Sequence, residues 1–340
     1  MTTSGNEPSV LVVGAGLSGL VAARSLATSG RTVNVIDKGR SVGGRLATRR
    51  LVGLGDQVAL LDHGAQFFTT RSVEFSTEVE HWLSIGLARE WCRGFDETQD
   101  GYPRYCAPLG MNSIAKHLAA NLNVSCDIVA SAVHQRGTHV EIETTAGQTF
   151  AGNSLVLTPP VPQALALCDR GSWPLSDSER ATLEAIRYVP CIALLVTLDR
   201  PGAVPAPGGL QLTSDQHQTF SFVGDNRAKG LSSVPALTFH ANDHVSASRY
   251  DEADDTLRSH LLTEAEPFFG GAVVVACEVK RWRFARPSVT HVGRSFSVGA
   301  NAGGSVVFAG DAFGEGRVEG AFLSGLAAAE SIILGPGRER

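Results

Sequence analysis

The order of apolar and polar positions changes character along the chain. Residues 9–13 (SVLVV) form a short unbroken apolar run rich in β-branched side chains, the pattern of a strand buried on both faces. A glycine-rich turn follows, residues 20–28 (LVAARSLAT) predict a helix, and Gly30 supplies its stop. Residues 32–36 (TVNVI) predict a second strand that ends at Asp37, completing a compact βαβ unit. Between about residues 71 and 90, Val73, Phe75, Val79, Trp82, Leu83 and Ile85 recur at mixed helical spacing, which predicts a helix. A second helix is expected over 111–122, and strands over 124–133 and 140–144. The run 155–157 is a short strand that enters Thr158-Pro159-Pro160, where regular structure must stop.

From about residue 166 to 275 the punctuation differs. Pro201-Gly202, Pro205, Pro207-Gly208-Gly209 and Gly224-Asp225-Asn226 separate strands such as 192–197 and 236–240, and residues 251–263 read as a polar-faced helix. This predicts an antiparallel sheet with accessory helices. The C-terminal part returns to an α/β pattern, with a strand over 305–309 and a small-residue helix over 320–334. The simplest arrangement is an α/β cofactor domain made of residues 1–70, 125–165 and 276–340. Residues 71–124 and 166–275 then form an inserted α+β substrate domain.

Length and composition narrow the picture. The chain has 340 residues, 43% hydrophobic and 19% charged, enough for a large core in two domains or one two-lobed unit. A formal net charge of -5 provides no global basic field for nucleic acid or anionic lipid. The first nine residues lack a basic segment followed by an apolar one, no apolar run approaches the ~20 residues that span a bilayer, and the chain ends in Arg338-Glu339-Arg340. These features point to a cytoplasmic protein without membrane or nucleic-acid partners. Cys92, Cys106, Cys126, Cys168, Cys191 and Cys277 are widely spaced, which suits buried free thiols rather than a metal cluster, so no metal is expected.

Gly14, Gly16 and Gly19 form G-x-G-x-x-G between the first strand and the first helix. One glycine permits a tight turn, one lets backbone approach a diphosphate, and one lets helix and sheet pack closely. The segment Gly14-Ala15-Gly16-Leu17-Ser18-Gly19 would thus present helix N–H groups to phosphate. Asp37, followed by Lys38, sits where an acid binds a ribose hydroxyl, which favours FAD or NAD over a 2′-phosphorylated nucleotide. Gly43-Gly44-Arg45 suits a second approach to the same diphosphate, with Arg45 offering charge. A second G-x-G-x-x-G is missing, which argues against a separate nicotinamide domain.

These motifs, together with Asp62-His63-Gly64-Ala65-Gln66-Phe67-Phe68-Thr69, Pro108-Leu109-Gly110-Met111, Arg281-Trp282-Arg283-Phe284-Ala285 and Gly310-Asp311, extend the comparison. So does the run from Arg317 to Gly325. The combination resembles the renalase-like branch of the FAD-dependent amine oxidase superfamily, especially bacterial renalases, over nearly the whole chain. It departs in 240–246, where Asp243 and Val245 replace a usual proline and tryptophan, and is loose over 220–229. The resemblance implies a fold like p-hydroxybenzoate hydroxylase and non-covalent FAD. It also implies oxidation of mis-reduced dihydro-NAD(P) isomers to NAD(P)+, with oxygen reduced to hydrogen peroxide.

Within that frame, Gly310 and Asp311 are candidates for the flavin ribityl chain, and Asp311 also suits an N-cap. Val318, Glu319 and Ala321 open a helix whose N–H groups suit the flavin pyrimidine edge, or simply start the helix. His63, Gly64, Ala65 and Gln66 offer small residues for a flat ring, with His63 more naturally a structural histidine than a base. Val129 is a candidate backbone contact for adenine. Trp282 and Phe284 would share one face of a strand, as pocket walls or core. His240 and Gln66 are candidate substrate-facing polar groups. Lys280, Arg281, Arg283 and Arg286 could meet a dinucleotide or form a solvated face. Hydride transfer to flavin N5 needs no catalytic base, in keeping with the missing acid-base motif, so no catalytic side chain is named. Two alternatives stay open: a flavin amine oxidase acting on a small amine, and a flavin-binding protein without turnover.

Overall fold

The computed structural model describes residues 9–95, 101–299 and 305–335. The polar N-terminal segment and Arg338-Glu339-Arg340 lie outside them. The chain divides into two units, 1–44 with 115–187 and 287–340, and 45–114 with 188–286. The sequence pattern instead puts 45–70 and 276–286 in the cofactor half and 115–124 and 166–187 in the substrate half.

The first unit is built on a six-stranded sheet. Its order is Phe296–Gly299, Ser305–Phe308, Ser154–Leu157, Ser9–Val13, Thr32–Ile36, Asn123–Ser125. All neighbours pair in parallel except Phe296–Gly299, which runs antiparallel to Ser305–Phe308. The central strand Ser9–Val13 is buried over four of its five residues, as its unbroken apolar sequence requires. The chain leaves it toward Thr32–Ile36 and later returns on its other side as Ser154–Leu157. The C-terminal end of Ser9–Val13 is therefore a topological switch point, where such sheets bind ligands. Helix Leu17–Thr28 packs on helix Arg317–Leu334 so closely that a Cβ on Gly325 would collide with the Ser18 carbonyl oxygen. A separate antiparallel sheet joins Ala130–Arg136, His139–Thr144 and Thr149–Gly152.

The second unit contains a five-stranded sheet ordered Gly209–Gln211, Phe220–Asp225, Ala236–Ala241, Arg187–Leu198, Val274–Val289. Alternate residues of Arg187–Leu198 feed two cores. Ile192, Leu194, Val196 and Leu198 join Phe220, Phe239, Leu257 and Leu261 on one side. Leu195 joins Ala59, Leu61, Val234 and Ala236 on the other. Helix Asp254–Ala265 contributes Leu257, Leu261 and Ala265, one per turn. Two hairpins complete the unit: Thr48–Val52 with Val58–Asp62, and Arg89–Cys92 with Arg104–Cys106.

Several sequence expectations are corrected. The strand expected over 124–133 is two strands in two sheets, because residues 126–129 break it and Asp127 takes φ 58°. The helix expected to reach residue 90 ends at Ser84, and Gly86 at φ 71° turns the chain into a strand. Thr158-Pro159-Pro160 does stop the strand, but Pro160 is also the N-cap of an unforeseen helix, Val161–Arg170. The first helix starts at Leu17, inside the glycine motif. Among the described residues no helix is long and apolar enough to cross a membrane, and no cluster of potential metal ligands occurs.

Candidate functional site

The three fingerprint glycines meet three different constraints. Gly14 has φ 107°, and a Cβ there would strike Thr158 Oγ1. A Cβ on Gly19 would strike the Gly14 carbonyl oxygen, so this glycine lets the helix close on the turn. Gly16 is different: a Cβ there would meet nothing within 4 Å. The fold does not need glycine at this position, but an approaching diphosphate would. Gly44 backs it, since a Cβ there would come within 3.3 Å of Gly16 Cα, and Gly43 N–H donates to the Ala15 carbonyl at 2.8 Å.

Asp37 ends its strand with both carboxylate oxygens engaged. Oδ2 accepts from Ala15 N–H and Oδ1 from Gly39 N–H, each at 2.6 Å. The acid thus fixes the glycine turn while each oxygen keeps lone-pair capacity for a hydroxyl. Lys38 extends to Gln163 Oε1 at 3.2 Å on the surface. Residues 127–129 lie alongside, with Asp127 N–H on the Gly39 carbonyl and Ile128 N–H on that of Asp37. The Val129 carbonyl accepts from Thr145 N–H at 2.9 Å. Ser18, in the first turn of the helix, is 5% exposed, and its Oγ has no protein partner among the described residues. A buried hydroxyl without a partner is costly. An open glycine, uncapped helix N–H groups and a hydroxyl seeking a partner fit a dinucleotide diphosphate.

In the same unit Gly310, at φ 144°, donates its N–H to Ser324 Oγ at 2.8 Å and turns the chain from Ser305–Phe308 into Asp311. Asp311, Val318 and Glu319 are all buried, whereas Ala321 is partly exposed. A Cβ on Gly320 would collide with the Glu315 carbonyl, which fixes the entry to helix Arg317–Leu334.

The second unit holds the other candidates. His63 is buried and its ring stacks on Trp282 at 5.2 Å between centroids and 22° between planes. Trp282 Nε1 donates to the His63 carbonyl at 3.0 Å. Burial, helped by Lys280 and His240, lowers the His63 imidazole to about 4. Burial also lowers His240 to about 4, the His63 backbone opposing the shift and Lys229 adding to it. Both rings are therefore neutral at pH 7. Gly64 is required because a Cβ would collide with the Arg45 carbonyl, to which Ala65 also donates its N–H at 2.9 Å.

Gln66 has a defined orientation. Nε2 donates to the Asp62 carbonyl at 2.7 Å and lies 3.2 Å from that of Gly64, so the amide oxygen is the other end. Its Oε1 is buried with no protein partner among the described residues. His240 Nε2 stands 3.4 Å from Gln66 Nε2. Phe222 lies 5.8 Å from the His240 ring and continues into Phe67, Trp91 and Phe95.

Several other candidate side chains engage the protein itself. Arg45 Nη1 donates to the carbonyls of Phe284 and Ala285, at 3.3 and 3.1 Å. Phe284 packs edge-on against Tyr188 rather than beside His63. The basic cluster is matched by acids: Lys280 with Glu278, Arg281 with Asp254, Arg283 with Asp251 and Arg286 with Asp243. It reads as a charge-balanced face. All six cysteines are free, Cys106 and Cys168 fully buried and the others partly so. Burial pushes the Cys168 and Cys191 thiols up to about 12, far from a reactive thiolate.

Sequence reasoning missed the buried ion pair between Lys229 and Asp62, 2.7 Å long and at most 1% exposed at either end. Asp62 opens the D-H-G-A-Q-F-F-T stretch and Lys229 closes the segment 220–229, but nothing in their spacing predicts that they meet.

Two solved structures share the fold. A proposed protoporphyrinogen oxidase from Exiguobacterium sp. 255-15 matches with a TM-score of 0.70 at 12% identity, covering 98% of this chain and 99% of its own. A fatty acid isomerase from P. acnes that produces CLA matches with a TM-score of 0.66 at 13% identity, covering 98% and 99%. The family model for an NAD(P)-binding Rossmann-like domain matches residues 12–84. The model for flavin containing amine oxidoreductase matches residues 81–333, well over half of the chain. Joined to the Rossmann switch point and its glycine turn, this match makes the chain a member of the flavin-containing amine oxidoreductase family, an FAD-dependent oxidoreductase.

Proposed function

We propose that the protein is a renalase-like oxidase that converts dihydro-NAD(P) isomers, reduced at the wrong ring carbon, to NAD(P)+. The observation that carries this reading is the buried, unshared Oε1 of Gln66 beside a neutral His240. A nicotinamide carboxamide has N–H donors to satisfy such an oxygen, and the nearby aromatic side chains suit a flat ring. A protonated amine is a poorer match. The carboxylate bonded beside Gln66, that of Asp62, is paired with Lys229, and both histidines are uncharged.

Bound FAD would supply a two-electron acceptor at flavin N5 that oxygen could reoxidise, with hydrogen peroxide as the product. The chain's own part is to bind and orient. Gly14, Ala15, Gly16, Leu17, Ser18, Gly19 and Gly44 hold the diphosphate without a covalent link, and Asp37 the adjoining ribose. Asp311 is assigned to the ribityl chain, and Val318, Glu319 and Ala321 to the pyrimidine edge. The dihydropyridine nitrogen bears no proton that must leave, so orientation replaces acid-base chemistry. The family membership keeps amine oxidation as the competing reading.

Anaerobic titration of the purified yellow protein separates the two. Borohydride-generated dihydronicotinamide dinucleotides should bleach the flavin absorbance stoichiometrically. Bleaching by small amines, with none by these isomers, would replace this reading with amine oxidation.

A further inference from the structure

The Asp62–Lys229 pair is buried, and the Asp62 carbonyl bonds the Gln66 amide. Asp62 closes the strand Val58–Asp62 and precedes Gln66 by four residues. Its carboxylate accepts from Lys229 Nζ at 2.7 Å, Thr48 Oγ1 at 2.6 Å and Met111 N–H at 2.9 Å. Its backbone N–H donates to Asn226 Oδ1 at 3.3 Å. Its carbonyl accepts from Thr238 Oγ1 at 3.0 Å and from Gln66 Nε2 at 2.7 Å. Asn226 Nδ2 in turn donates to Thr238 Oγ1 at 2.9 Å, and Lys229 Nζ rests 5.4 Å from the Trp91 ring centre. Every polar atom of Asp62 is held, and one of its bonds sets which way Gln66 points.

Burying two charges is expensive, and an apolar pair of similar volume would often serve stability as well. What a buried pair adds here is a fixed backbone position for the carbonyl that receives Gln66. An amide can rotate by half a turn and exchange its oxygen for its NH2 with little change in shape. With Asp62 immobile, Nε2 is tied to the Asp62 carbonyl and Oε1 becomes the free acceptor.

We infer that Asp62 and Lys229 are positioning residues that hold the Gln66 amide as an acceptor and thereby select substrates whose ring carries an N–H-bearing carboxamide. This inference rests on the proposed role of Gln66 with dihydronicotinamide substrates. It assigns selectivity to a pair that need not touch substrate.

The test compares kcat/KM for a dihydronicotinamide dinucleotide isomer with that for the same isomer of the 3-cyanopyridine dinucleotide, which has no N–H to donate. The intrinsic reactivity difference between the two rings is the same in every variant and cancels when variants are compared. The native protein should prefer the carboxamide. Gln66→Leu should erase about tenfold of that preference. Asp62→Asn combined with Lys229→Met, which removes both charges together, should erase a similar factor with flavin content unchanged. Lys229→Arg should keep the preference. A merely structural role would slow both substrates equally and leave the ratio intact. If the paired variant does not fold, Thr48→Val removes a single carboxylate bond and should lower the ratio about threefold. Loss of preference in Gln66→Leu, with the native ratio kept in the paired variant and in Thr48→Val, overturns this inference and leaves the proposed function standing. A native protein reduced by neither dinucleotide overturns both.

Discussion

The diphosphate cradle and the Gln66 cluster solve their problems with opposite materials. The cradle is made of backbone: three glycines, a helix start and an acid that bonds the turn, all within residues 14–44. The cluster is made of side chains drawn from residues 48, 62, 66, 226, 229, 238 and 240, brought together by strands of two sheets. Backbone shape depends on local sequence and tolerates few residue types, so it leaves a readable mark. A side-chain constellation depends on register between distant strands and leaves almost none. The cradle also has open space where a ligand belongs, whereas the cluster is nearly saturated with its own hydrogen bonds. Changes in the cradle should therefore separate folding from cofactor binding, whereas breaking the cluster's ion pair should be felt first in folding.

The largest expected effect tests the saturation of the cluster. Lys229→Met alone, without the compensating change at Asp62, leaves a buried carboxylate facing a thioether. The loss should be about 3–5 kcal/mol, read from urea denaturation of the flavin-loaded protein. A loss below about 1 kcal/mol would mean that the pair is solvated and not the keystone described above.

A second comparison divides the glycines of the cradle. Gly19→Ala forces a Cβ onto the Gly14 carbonyl and should destabilise the fold by about 2–4 kcal/mol, whether or not FAD is present. At Gly16 a Cβ meets no protein atom, so the thermal midpoint of FAD-free Gly16→Glu should barely move. Charge and bulk against the diphosphate should nevertheless leave the purified protein colourless. Full yellow colour in Gly16→Glu would remove the diphosphate from this turn.

The same contrast explains what was legible beforehand. The βαβ unit was readable because its strands are unbroken apolar runs, and Ser9–Val13 and Thr32–Ile36 have the expected limits. The strand at residues 124–133 was misjudged because an αL conformation at Asp127 leaves no glycine to signal it. The helix Val161–Arg170 was hidden by prolines that end one element and begin another. Gln66 and His240 could be named as candidates, but their 3.4 Å approach depends on strand pairing. Arg45 was expected to offer charge to phosphate, and no local pattern announces the bonds that its Nη1 makes to Phe284 and Ala285.

A third prediction concerns acid. His63 and His240 fall from an ordinary value of 6.5 to about 4 on folding. Between those values the unfolded chain binds protons that the folded imidazoles refuse. Stability should therefore be fullest above pH 6.5, decline as pH falls toward 4, and change no further from these groups below that. The loss is on the order of 3 kcal/mol for each ring. Denaturation midpoints measured from pH 7.5 to 4.5 should show this slope, and His63→Leu should flatten part of it. An unchanged slope in that variant would show that the ring protonates freely in the folded protein.

The smallest effect is the sharpest on the difference between the two regions, because its sign reverses with cofactor. Ser18 Oγ is buried in the first turn of the helix without a protein partner among the described residues. Replacing it with alanine removes a hydroxyl that the FAD-free fold leaves unsatisfied, so Ser18→Ala should raise the stability of that form by about 1 kcal/mol. If Ser18 holds the diphosphate as proposed, the same substitution removes that hydrogen bond, and the FAD dissociation constant should rise about fivefold. Thermal midpoints with and without FAD, measured on the same preparation, read both signs. No comparable reversal with cofactor is expected at Asp62, whose polar atoms all have protein partners. A Ser18→Ala protein destabilised equally in both forms would show that the hydroxyl serves the fold and that the cradle is as self-satisfied as the cluster.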